Sequence, residues 1–164
     1  MTPTQILTEG LRVLSEPSAL PRIVRPVPRG DLVARFALPL ELCRPQNRRD
    51  GAGPAWALAK VKSQLAQLMA TQWLRQRGGV ETPLPGRPQV LCLRFSSVEP
   101  DGYADWAKAA IDVLTLRRSR ARSRVHRLGI IVDDRPSCAE VVQWWEPAKP
   151  GAGGVLVQVF RGEE

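Results

Sequence analysis

In the stretch EPDGYADWAKAAIDVL, which runs from Glu99 to Leu114, four charged side chains interrupt the mostly apolar residues after Glu99: Asp101, Asp105, Lys108 and Asp112. On a helix turning about 100° per residue, these spacings predict one narrow charged face, with Trp106, Ala109, Ala110, Ile111, Val113 and Leu114 on the others. A second acidic feature, Asp133-Asp134, closes the apolar run LGIIV. Adjacent carboxylates repel, so a hard cation or a solvated turn must offset them. Magnesium takes one or two carboxylates and completes its shell with water and phosphate oxygens. Carboxylates from a strand end and a helix start would therefore suit an ion that activates water and stabilises the leaving oxygen of a phosphodiester. Between the two acidic segments lies LRRSRARSRVHRLG, with Arg117, Arg118, Arg120, Arg122, Arg124 and Arg127 and no acid. An extended backbone would align Arg118, Arg120, Arg122 and Arg124, and a helix would align Arg117, Arg120, Arg124 and Arg127. Either ridge would neutralise phosphates without reading base sequence.

Each feature also has a plain structural explanation. The charged helix face could be a solvated one, its Asp–Lys pairs contributing about 0.2–0.5 kcal/mol each. DDRPS could be a polar turn, and the arginines a solvated loop that attracts polyanions regardless. The three features together favour a metal-dependent attack on a phosphate backbone, because acids repel that backbone unless a cation bridges the two.

The whole chain supports this. Its 164 residues suit one domain with a proper core. Twenty-four Lys and Arg against sixteen Asp and Glu give a net charge of +8, which favours polyanionic partners, nucleic acid first. No apolar run approaches the roughly 18 residues of a membrane span, and the N-terminus lacks a basic start followed by an apolar core. Cys43, Cys92 and Cys138 are few, dispersed and odd in number, which points to reduced thiols in a cytoplasm. One histidine, His126, argues against a histidine-rich metal site.

The elements that must position the acids follow from periodicity. Residues 1–34 predict a loosely packed N-terminal extension: a short amphipathic segment and a proline-rich connector, EPSALPRIVRPVPRGD. Residues 35–164 predict the main domain. LVARFALPLEL is strand-like and CRPQNRRDGAGP is a turn-rich loop. AWALAKVKSQLAQLMATQWLRQRGG is a helix with an apolar stripe of Leu58, Val61, Leu65, Leu68, Met69 and Trp73. RPQVLCLRFSSV is a strand, the charged segment is a second helix entered near Asp101, and LGIIV is a short strand. AEVVQWW and GGVLVQVF predict a closing antiparallel hairpin. The irregular order of strands and helices predicts an α+β fold, a mixed β-sheet packed with two main helices.

At this level the chain resembles the RusA family of Holliday junction resolvases over roughly residues 35–161. ALPLELCRPQNRR is similar to the family's opening strand and its asparagine-containing loop, which places Asn47 at the family asparagine. PDGYADWAKAAIDVL resembles the signature Asp-x-Asp-Asn-x-x-Lys leading into an alanine-rich helix, and GIIVDDRPSCAEV resembles the strand ending in Asp-Asp. Lys108, Asp112, Asp133 and Asp134 match without adjustment. Anchored on Lys108, the family's asparagine falls at Asp105, its second aspartate at Ala104 and its first at Gly102, one residue from Asp101. Arg135, Pro136 and Ser137 stand where the family has a glutamine.

The resemblance implies a homodimeric endonuclease that binds four-way DNA junctions and makes paired nicks with magnesium, or with manganese in its place. Its setting would be recombination and repair in the cytoplasm of a bacterial or phage-infected cell. It further implies that Asp101, Asp105, Asp133 and Asp134 hold the metal and that Lys108 stabilises charge on the scissile phosphate. Arg44, Asn47, Arg48, Arg49 and the Arg117–Arg127 ridge would bind DNA. The competing expectation is a RusA-fold DNA-binding protein without a complete metal site.

Overall fold

The computed structural model describes residues 1–44, 55–101, 105–116 and 127–162, with the side chains of 55–58 left aside. In chain order the elements are α1 (Pro3–Ser15), β1 (Leu32–Leu38), α2 (Ala55–Gln76), β2 (Gln89–Ser96), α3 (Lys108–Leu114), β3 (Glu140–Pro147) and β4 (Gly154–Phe160), with a 3₁₀ turn at Leu40–Leu42. The strands form a mixed four-stranded sheet in the order β1-β4-β2-β3. β4 is antiparallel to both β1 and β2, and β3 runs parallel to β2. The fold is α+β, as the pattern of elements predicts.

Burial explains the strand order. Every residue of β4 is buried, as is every residue of β2 except Arg94, so both strands need a neighbour on each side. β3 is mostly half-buried and suits an edge. The hairpin predicted for AEVVQWW and GGVLVQVF therefore does not form, because β2 lies between the two strands. LGIIV is likewise not a strand of the sheet. Ile131 makes a single parallel bridge to Thr115, and the amides of Ile130 and Ile131 donate to the carbonyl of Leu114 at 2.9 and 3.1 Å.

α2 and α3 cover one face of the sheet, burying Leu65, Met69, Ile111 and Leu114 against Phe36, Val90, Cys92 and Val157. On the other face lies α1, which is not the loose leader expected. Thr2 and Gln5 form a reciprocal capping box, with Pro3 in the first turn. Ile6 is fully buried and packs with Val13 against Ala37, Leu93, Phe95 and Leu156, a burial contributing about 1.5–3 kcal/mol for a side chain of this size. Two glycines allow this approach. A Cβ on Gly154 would stand 2.5 Å from the Ile6 side chain, and one on Gly10 would stand 3.1 Å from the Phe95 ring. β1 begins at Leu32, ahead of the expected boundary at residue 35, so that boundary falls inside a strand.

Glutamine amides stand in for missing strand partners. Gln72 accepts from the amide of Ala37 at 2.8 Å and donates to its carbonyl at 2.9 Å, and Gln76 does the same for Arg35 at 2.8 and 2.6 Å. One helical turn thus covers the free edge of β1, which would otherwise template pairing with another chain. Replacing both glutamines with alanine should destabilise the fold by about 1 kcal/mol per site. It should also shift the protein to larger species in light scattering; an unchanged size would mean that the edge is protected by other means.

Candidate functional site

The charged segment becomes helical later than its pattern predicts. α3 starts at Lys108, with Trp106 and Ala107 buried just before it. The single-face geometry therefore applies to Lys108 and Asp112 but not to Asp101 and Asp105, which precede the helix and are exposed. Asp105 is held toward the sheet instead, where its Oδ1 accepts from Gln143 Nε2 of β3 at 3.2 Å. The burial of Trp106 and this tether fix the approach to α3, which sequence periodicity does not reveal.

Lys108 organises the charges around it. Its Nζ lies 2.5 Å from Asp134 Oδ2 and 2.8 Å from Asp112 Oδ1. Asp134 arrives from 26 residues away. It is carried by the buried Ile130-Ile131 pair, whose backbone is pinned to the end of α3. Asp133 Oδ1 accepts from the amide of Asp134 at 2.9 Å, and its Oδ2 pairs with Arg135 Nε at 3.1 Å. Side-chain cations of the protein thus offset both members of the double aspartate. Lys62 Nζ, on α2, stands 3.8 Å from Asp112 Oδ2 and adds a further positive group.

Burial works against the charge on Lys108, but the hydrogen bonds and fields of Asp112 and Asp134 outweigh it, and its pKa is raised. With side-chain exposures of 36% for Lys108 and 28% for Asp134, the pair contributes no more than about 1 kcal/mol. A raised folded pKa means that this contribution is complete below the ordinary lysine value, about 10.4, and is lost as pH rises through the folded value. The stability gap between wild type and Lys108→Met, read from urea midpoints, should therefore be steady from about pH 6 to 10 and close at higher pH. A gap that persists or widens at alkaline pH would contradict the pairing.

Among the described residues, no three of the His, Cys, Asp and Glu side chains form a group that could hold a metal ion. The groups that do come together are pairs: Asp112 with Asp134 around one ammonium, and Asp133 beside Asp134. Their oxygens are hard donors, and magnesium requires only one or two carboxylates from a protein. The donor set thus fits magnesium or manganese in kind. It does not suit a thiolate-bound metal, because burial pushes the Cys43 thiol up to about 12 and raises that of Cys92 as well.

Of the expected DNA-binding groups, Arg44 is exposed. Arg127 donates to the carbonyl of Asp112 at 3.2 Å and to the Thr115 hydroxyl, so it closes the C-terminal end of α3. Asn47, Arg48, Arg49, Arg117, Arg118, Arg120, Arg122 and Arg124 lie outside the described residues. Sequence reasoning missed Lys62 and Gln143. Lys62 had a readable signal, since it lies one turn before Leu65 and Ala66, in line with the buried stripe through Met69 and Trp73. Gln143 had none, because its role depends on the pairing of β3 with β2.

Compared with known proteins, the chain matches no family model, no curated protein and no solved structure at a significant level.

Proposed function

We propose that this protein is a RusA-like endonuclease that nicks branched DNA, four-way junctions in particular, as a magnesium-dependent homodimer in recombination or repair within a bacterial or phage-infected cytoplasm. The observation that carries this reading is the meeting of Lys108 and Asp134, with Asp112 on the same ammonium. These three residues occupy the positions where the RusA resemblance is without gaps. In this reading Asp133 and Asp134 would hold the ion, joined on DNA by Asp101 and Asp105, which the structure does not group with them. The ion would supply an activated water and charge stabilisation at the leaving oxygen. Lys108 offers its ammonium to the scissile phosphate, and Asp112 keeps that ammonium charged and oriented. Arg44, Arg48, Arg49 and the arginines between 117 and 127 would engage the backbone on either side. A two-fold dimer suits the substrate because each subunit can present one site to one strand.

The second reading is a DNA-binding protein of the same fold that does not cut. It is favoured by the scarcity of gathered acids, in pairs rather than threes among the described residues, and by Ala104 at a family aspartate. End-labelled synthetic junctions distinguish the two. Nicking in magnesium that stops in EDTA supports the nuclease, whereas tight binding with no nicking in magnesium or manganese establishes the binder.

A further inference from the structure

Arg94 is out of place on β2. Its neighbours along that strand are buried, and it alone is half-exposed. Its side chain lies on the same sheet face as Cys92, and one guanidinium nitrogen donates weakly to the carbonyl of Cys43 at 3.3 Å. Its Nε is buried and has no hydrogen-bond partner. Among the described residues, no carboxylate pairs with it. The nearby Cys43 thiol does not serve as a counter-charge, because burial keeps it protonated up to about 12. The contrast with Arg35 on β1 is instructive: the amide oxygen of Gln158, in the orientation that satisfies both groups, accepts from two of its nitrogens at 3.2 Å. Burial depresses the pKa of Arg94, as it does that of Arg35. An arginine nevertheless remains charged in proteins. The buried Nε is closed to a ligand, so what Arg94 can offer is the guanidinium beyond it, whose one acceptor among the described residues is the Cys43 carbonyl at 3.3 Å.

Its position indicates what would use that guanidinium. Two residues back on the same face, Cys92 pairs across the sheet with Gln143, and Gln143 holds Asp105. Arg94 therefore stands two residues along β2 from the position that pairs with Gln143, the residue that tethers the approach to α3. Its planar fork matches two oxygens of a phosphate, and it remains partly open to solvent.

We propose that Arg94 is an anion-binding residue whose ligand is a phosphate group, supplied by the nucleic-acid backbone adjacent to the one that meets Lys108. The assignment of DNA as the source rests on the proposed function; the phosphate site itself does not. The test uses the full chain and Arg94→Met, which keeps the stem and removes the charge. Three measurements are needed: anisotropy titrations of a fluorescent four-way junction at several salt concentrations, titration with inorganic pyrophosphate, and thermal melts. Junction affinity should fall about 10-fold or more, and the log–log salt slope should become shallower by about 0.9. The melting temperature should stay level or rise, because an uncompensated charge has been removed. Arg94→Lys should recover only part of the affinity. If the wild type ignores the junction but binds pyrophosphate through Arg94, the nuclease reading fails and the phosphate site stands. If neither ligand responds to Arg94→Met, or the variant melts lower with its affinity intact, Arg94 is structural and the proposal is overturned.

Discussion

Asp134→Asn should abolish detectable nicking of a four-way junction, a loss of at least about 100-fold, while junction binding persists. The change is nearly isosteric and removes one negative charge. The structure limits its effect on folding: Asp134 is partly exposed, Lys108 keeps Asp112 at 2.8 Å, and the amide of Asp134 still donates to Asp133. The stability cost should therefore stay within about 1 kcal/mol. What the variant loses is the carboxylate in which the two acidic segments of the chain meet. Binding should be equal or slightly tighter, because a charge that repels phosphate is gone. Nicking at the wild-type rate by a folded Asp134→Asn protein would place the chemistry elsewhere.

The second large effect concerns folding. Glu146 on β3 is 2% exposed and receives a forked Arg25, with contacts of 2.7, 3.0 and 3.1 Å. The same guanidinium donates to the carbonyls of Val13, Leu14 and Glu16, the groups that the end of α1 leaves without intrahelical partners. One side chain from the proline-rich connector thus pins α1 to the sheet. Among the described residues, Arg25→Ala would leave a buried carboxylate with only the indole of Trp144 at 3.5 Å. The expected destabilisation is about 3 kcal/mol or more, a fall in Tm on the order of 10 °C. Glu146→Gln in the Arg25→Ala background should restore part of that loss, because the amide carries no charge. If the double variant melts no higher than Arg25→Ala, the isolated carboxylate is not the source of the effect.

These two cases show which features the sequence made legible. α2 could be read directly because Leu65, Met69 and Trp73 repeat at helical spacing and all three are buried. The segments of β2 and β4 were likewise legible as strands. The pairing of those strands was not local information. β3 and β4 are neighbours in sequence, yet β2 needs cover on both sides and takes the place between them. The amphipathic stripe of α1 was visible, but its seat depends on Gly10 and Gly154 meeting Phe95 and Ile6 across the fold. At the site, periodicity put Asp101 and Asp105 on the helix with Lys108 and Asp112. The chain instead buries Trp106 and ties Asp105 to Gln143, so the helix begins only afterwards. Lys108 and Asp134 were legible as a motif. Arg94 was not, since an arginine within a strand shows its missing partner only once its surroundings are known.

The proposed function requires Asp101 and Asp105, which the structure does not group with Asp133 and Asp134, to join them on one divalent ion beside Lys108. Titrating manganese into the protein and following the free ion by electron paramagnetic resonance tests it most directly. The account predicts saturable binding by wild type that is lost in both Asp105→Asn and Asp134→Asn. Binding that survives either substitution, or a wild type that takes up no ion with junction DNA present, would contradict it.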